Sequence, residues 1–261
     1  MLHLVGRATL DDYPPRRPQL QTPASPTEPN RRLFWEMAPS LVLFDIDGTL
    51  TRGAGPQHLI ALENSVLEVT GRHCPIHNIP VHGMLDNVIL SLMMRAAGLA
   101  EAEAQFALPA VMESAQRLYL ETDVPDLRDK RCPGVPYILD TLTARGTHLA
   151  LVTGNLTRIA WHKLSRAGIH HYFRYGAFGE MAPTRGELAK MAVARARSEG
   201  LIDSHSRISL IGDAASDIQA AHDAGIQSIS VRTGITPLED LIAARPHVLI
   251  DDLTHLDLAI V

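Results

Sequence analysis

Leu41-Val42-Leu43-Phe44-Asp45-Ile46-Asp47-Gly48-Thr49 is the stretch on which the fold turns. Its first four residues are apolar without interruption. An unbroken short run, where a half-exposed strand would alternate, reads as a strand buried on both faces, as in a parallel sheet. The run stops at two carboxylates spaced i and i+2. Alternation along an extended chain sends both to the same side. At the carboxyl end of a parallel strand, that side is where ligands bind. Two like charges so close repel unless a cation neutralises them or one stays protonated. Gly48 permits a sharp turn and Thr49 adds a hydroxyl. The alternative reading of the motif is a capped turn closing a strand.

Outward from this stretch the same signal recurs at Leu149-Ala150-Leu151-Val152, at Ile208-Ser209-Leu210-Ile211, at Ile226–Val231 and more weakly at His247–Ile250. Helical periodicity fills the gaps: Val135–Arg145, Leu156–Ala167, Gly186–Glu199 and Ala215–Ala224, each followed by glycine. Glycine past a helix end is a common stop because it tolerates the left-handed conformation. Strand–helix alternation predicts right-handed crossovers and a parallel sheet covered on both faces. Residues 53–132 break the rhythm, with helices expected at Gln57–Thr70, Leu85–Ala97 and Glu101–Glu121 and no strong strand. The expected architecture is α/β: a Rossmann-like parallel-sheet core from residues 40–52 and 133–261, with an inserted all-helical cap domain at 53–132.

Residues 1–39 have another character. Pro14, Pro15, Pro18, Pro23, Pro26, Pro29 and Pro39 interrupt them and no apolar period is visible, which predicts a disordered arm. A proline-rich ligand for a partner domain is one alternative, and a start of translation at Met37 another. The 261 residues, 46% hydrophobic, suffice for a core plus an inserted domain. A net charge of −5 argues against a dedicated nucleic-acid binder. No apolar run spans a bilayer and no signal-peptide pattern opens the chain. Two cysteines, Cys74 and Cys132, make no disulfide framework, so a reducing, cytoplasmic setting is expected. A monomer or a homodimer would both suit such a chain.

Two further strand ends carry polar groups. Val152-Thr153-Gly154-Asn155 offers a hydroxyl and bare amides ahead of a helix N-terminus, where the dipole favours anions. Helix capping uses the same residues. Ile211-Gly212-Asp213-Ala214-Ala215-Ser216-Asp217 places one carboxylate on the strand end and a second four residues on. Asp213 facing Asp45 and Asp47 makes a credible site for a hard divalent cation. Asp217 would ligate through water or orient the others, or serve only as an N-terminal helix charge.

These three motifs, in this order, resemble those of the haloacid-dehalogenase-like hydrolases, and Pro133-Gly134-Val135 resembles the subgroup with a helical cap, similar to phosphoglycolate phosphatases and β-phosphoglucomutases. The resemblance covers about residues 40–261. It implies a Mg2+-dependent hydrolase of a small phosphorylated substrate. By that resemblance Asp45 is the nucleophile that becomes phosphorylated and Asp47 the general acid and base. The metal would be held by Asp45, Asp213 and the backbone carbonyl of Asp47, with Asp217 beside them. Thr153, with the amides of Gly154 and Asn155, would hold the phosphoryl group.

The chain departs from the family pattern twice. The third motif is normally a lysine. Arg185, at a helix start, is the positional match and is expected to point toward Asp213 and the phosphate. Lys163 reads as a packing residue beside Trp161 and Leu164, and Lys190 lies inside another helix. Relatives also often carry Gly-Lys/Arg-Thr-Asp where this chain has Gly83-Met84-Leu85-Asp86, so a second anionic group of a substrate lacks its usual partner. His73, Cys74, His77 and His82 hint at zinc spacing, but Pro75 and Pro80 interrupt them and a polar loop is expected instead. Two other readings compete with a phosphatase: a phosphomutase using the same aspartyl phosphate, and a binding or regulatory protein on a degenerate site.

Overall fold

The computed structural model describes residues 39–261; the arm expected at 1–39 lies, except for Pro39, outside the described residues. Six strands form one sheet in the order β3-β2-β1-β4-β5-β6. They are β1 (Leu41–Phe44), β2 (His148–Val152), β3 (Gly176–Ala177), β4 (Ile208–Gly212), β5 (Gln227–Val231) and β6 (Val248–Ile250), all parallel to their neighbours. The α/β parallel-sheet architecture expected from the sequence is therefore present.

Alternation along the strands sorts side chains to two cores. Val42 and Phe44 join Leu149, Leu151 and Ile211 on one face. Leu41 and Leu43 join Ala150, Val152 and Leu210 on the other. Helices cover both faces, which is why the central strands need apolar residues at every position. On the first face lie α4 (Tyr137–Ala144) and α5 (Thr157–Arg166), through Leu139, Leu142, Ile159 and Leu164. On the second lie α6 (Arg185–Ser198) and α7 (Ala215–Ala224), through Leu188, Ala192 and Ala221. A final short helix, α8 (Leu238–Ala243), precedes β6.

Between β1 and β2 the chain contributes α1 (Gln57–Thr70), α2 (Asp86–Ala96) and α3 (Glu101–Glu121). Leu62, Val66, Leu90, Met93, Val111 and Ala115 pack these helices together in a core continuous with the first sheet face. The two connections to the sheet run side by side: Arg52 N donates to Lys130 O at 2.8 Å, and Cys132 N to Leu50 O at 3.0 Å.

Candidate active site

The carboxyl ends of β1, β2 and β4 lie within one residue of one another. Phe44 pairs in register with Leu151 on one side and Ile211 on the other, so Thr153 and Asp213 each stand one residue beyond the level of Asp45. This is the point where strand order reverses about β1, the usual ligand crevice of an open α/β sheet. After Asp45 the chain turns tightly, with Gly48 at φ +92° and its N–H donated to Thr51 O at 2.6 Å. That left-handed conformation, and the nearness of Asp213, both exclude a side chain: a Cβ at Gly48 would stand 2.3 Å from Asp213 Oδ2.

A cleft of about 560 Å³ opens here between the sheet and the inserted helices. Asp45, Asp47, Gly154, Asn155, Arg185, Asp213 and Asp217 all line it. Thr153 does not; it is fully buried behind Asn155, whose Nδ2 donates to its Oγ1 at 2.8 Å.

Arg185 stands in the first turn of α6, whose entry is capped by the Thr184 hydroxyl accepting from Glu187 N at 3.2 Å. Its Nη1 donates to Asp45 Oδ1 at 3.0 Å and to Asp217 Oδ1 at 2.5 Å. The expected aim toward Asp213 is therefore corrected to Asp45 and Asp217. Burial opposes the arginine's charge, but the two carboxylates raise its pKa further above the ordinary value. Its Nη2 lies against Gly154, 3.0 Å from where a Cβ there would sit. Asp217 uses both of its oxygens, since Oδ2 accepts the Ala214 N–H at the start of α7 while Oδ1 takes Arg185. The Asp213 carboxylate accepts from Thr49 Oγ1 at 3.1 Å and is wedged between the backbones of Gly48 and Gly234.

Asp45, Asp213 and Asp217 each bring a carboxylate oxygen within 4.8 Å of the others. Burial, then Asp217, push the Asp45 carboxyl up to about 7 against the pull of Arg185. Burial, then Asp45 and Asp217, push Asp213 up to about 8. Arg185 bonds only two of these three carboxylates, so their ionised forms would leave negative charge uncompensated. Hard oxygen donors at this spacing suit a small divalent cation.

Lys163 is the principal correction. It does not serve packing: its Nζ donates to Asp47 Oδ2 at 2.6 Å and to Asn155 Oδ1 at 2.7 Å, with only 3% of its side chain exposed. Desolvation pushes Asp47 upward, but Lys163 and then His58 outweigh it and hold the carboxyl below its ordinary value. His58, from α1, carries no signal in the sequence. Its Nδ1 lies 3.2 Å from Lys163 Nζ and its Nε2 2.9 Å from Asp86 Oδ2. The same Asp86 oxygen accepts the Leu156 N–H at 2.9 Å, and Asp86 N donates to Gly154 O at 2.8 Å. A chain of contacts thus runs from the inserted helices through Lys163 to Asp47. In the loop with zinc-like spacing, His73 bonds Glu63 and His82 bonds Thr236, while Cys74 is buried.

The chain is 29% identical to a phosphoglycolate phosphatase of Pseudomonas putida over 232 residues, covering 86% of this chain and 81% of that one. It is 26% identical to a phosphoglycolate phosphatase of Agrobacterium fabrum, covering 83% and 90%. In fold it resembles a crystal structure described as a predicted phosphatase from Clostridium acetobutylicum, with a TM-score of 0.58 at 19% identity over 83% of this chain and 95% of that one. A β-phosphoglucomutase from Clostridium difficile gives a TM-score of 0.59 at 17% identity over 85% and 94%. The family model for haloacid dehalogenase-like hydrolases matches residues 42–222, more than half the sequence, and the chain belongs to that family.

Proposed function

We propose that this chain is a Mg2+-dependent phosphatase that hydrolyses a small phosphomonoester through an aspartyl phosphate on Asp45. The observation that carries the reading is the setting of Asp45. It is buried at the end of the central strand, beside Arg185 and two further carboxylates, with Asp47 across the same cleft.

In the first step an Asp45 oxygen attacks phosphorus, the bond from phosphorus to the alcohol oxygen breaks, and Asp47 gives that oxygen a proton. In the second, water attacks phosphorus, Asp47 takes its proton, and the bond to Asp45 breaks to release phosphate. Asp47 is ionised in the free site, held so by Lys163 and His58. A phosphate dianion arriving beside it raises its proton affinity, which suits the acid role. Arg185 Nη2 and the Gly154 amide hold the phosphoryl oxygens, while Asn155, whose Nδ2 donates to Asp47 Oδ2 at 2.8 Å and to the buried Thr153 hydroxyl, keeps Asp47 aimed.

Asp45 and Asp213 would hold the Mg2+ together with the Asp47 carbonyl, with Asp217 and Arg185 steadying Asp45. When bound, the ion supplies positive charge between the nucleophile and the phosphoryl group. Residues 53–132 act as a cap over the cleft. Phosphate release from a panel of phosphomonoesters, with and without Mg2+ and with a bisphosphate activator, tests the reading. No release from any ester would overturn it, and turnover that depends on the bisphosphate would indicate a phosphomutase.

A further inference from the structure

We propose that the alcohol this phosphatase releases is uncharged and largely apolar. The inference rests on the phosphatase reading and names the class of its leaving group. The cleft, about 560 Å³, has the size of a site for a whole small molecule and extends beyond the phosphoryl floor. Among its lining residues are five carboxylates, Asp45, Asp47, Asp86, Asp213 and Asp217, but only two permanent cations, Lys163 and Arg185.

Both cations are committed. The Lys163 ammonium donates to Asp47 and Asn155, and His58 Nδ1 lies 3.2 Å from it on the remaining side. Arg185 Nη1 holds Asp45 and Asp217, Nη2 lies by Gly154 at the phosphoryl floor, and Nε, though without a partner, is buried and closed to a leaving group. The two histidines are also engaged: His58 with Asp86, His82 with Thr236 at 2.6 Å.

The rest of the wall is apolar, formed by Ala54, Leu59, Val81, Met84, Ile89 and Ile235. One polar group there is unspoken for: the Tyr119 hydroxyl has no hydrogen-bond partner among the described residues, and it lies close enough to Asp47 for that carboxylate to help raise its pKa. A carboxylate or second phosphate on the leaving group would lose water and meet no free cation among the lining residues. An alkyl or hydroxyalkyl chain covers the apolar wall at no such cost, with Tyr119 available to one hydroxyl.

The test compares kcat/KM for ethyl phosphate and 2-phosphoglycolate, which differ by a methyl in place of a carboxylate, and for n-butyl phosphate, all with Mg2+. Ethyl phosphate should exceed 2-phosphoglycolate by at least about tenfold, and n-butyl phosphate should exceed ethyl phosphate. Met84→Lys and Ile235→Lys each bring a cation to the wall and should narrow the first gap. Ile235 is 80% exposed, so its substitution leaves folding intact even where Met84→Lys does not. Equal or faster hydrolysis of 2-phosphoglycolate by the unaltered protein would overturn the inference, as would a gap that Ile235→Lys leaves unchanged. Hydrolysis of none of these esters, nor of nitrophenyl phosphate, would remove the phosphatase reading and this inference with it.

Discussion

Lys163 Nζ and Asp47 Oδ2 lie 2.6 Å apart, joining the interior of α5 to the turn that follows β1. Nearly all of the lysine is buried, while 44% of the Asp47 side chain is exposed to the cleft. The cation therefore does two things: it fixes the rotamer of Asp47, and it favours the ionised form.

Lys163→Met should lower kcat/KM by at least about tenfold, because general acid–base catalysis is worth about 10² to 10⁴ and depends on placement. The stability effect has a defined sign. Asp47 is depressed in the folded state, so its contribution is present above its unfolded value and lost as pH falls through the folded one. The urea midpoint of wild type relative to Lys163→Met should be steady above about pH 5 and shrink below about pH 4. A midpoint difference that grows in acid would refute the pairing.

Arg185→Met should be damaging twice over. It leaves Asp45 and Asp217 buried without their shared donor, and breaking a buried ion pair typically costs about 3–5 kcal/mol. Activity should fall by at least about a hundredfold, at about tenfold per 1.4 kcal/mol. Arg185→Lys should recover part of it, lacking the planar fork. Denaturant titration with Mg2+ absent separates the stability loss from the catalytic one. An active, fully stable Arg185→Met would remove Arg185 from the site.

How much of the fold and site is legible in the sequence follows from the range of each signal. The continuous apolar run before Asp45 and the periodic stretches mark β1, α1, α3 and α7 at their observed limits, because burial on two faces or one stripe is written locally. Arg185 is legible through its place at a helix start after a strand. β3, only two residues long, and α8, only six, are too short to show a period. Lys163 is hidden because Trp161 and Leu164 around it do pack, and linear spacing does not reveal which neighbour turns inward to a charge. His58 and Asp86 belong to different inserted helices; His58 meets Lys163, and Asp86 meets His58, only through tertiary packing. No spacing rule links them to Asp45.

Asp45→Asn should reduce turnover to below about one thousandth of wild type while leaving the fold intact. The amide keeps the volume but is a poor nucleophile. It also removes one of three crowded buried carboxylates, so melting without Mg2+ at pH 8 should occur at the wild-type temperature or above it. Retained turnover would exclude Asp45 as the nucleophile.

Protons and Mg2+ compete for the same carboxylates. In the metal-free site Asp45 is pushed up to about 7 and Asp213 to about 8, by burial and by neighbouring carboxylate charge. A folded state with raised carboxyl pKa values holds protons that the unfolded chain has already released. The stability they contribute is fully present below the unfolded values near 4 and is lost as pH rises through the folded ones. The metal-free melting temperature should therefore fall between about pH 5 and pH 8.5. Mg2+ competes for the same oxygens in their ionised form, so its effect should run the other way with pH. At about a hundred times its Kd a ligand adds about 2.7 kcal/mol, and about 2–4 °C of melting temperature follows from each kcal/mol in a chain this long. Mg2+ should thus raise the melting temperature by about 5–10 °C at pH 8.5 and far less at pH 5, as scanning calorimetry would read. Asp213→Asn should abolish most of the rise and flatten the metal-free pH dependence together. An equal Mg2+ shift at both pH values, or one that survives Asp213→Asn, would mean that the ion binds elsewhere than beside Asp45.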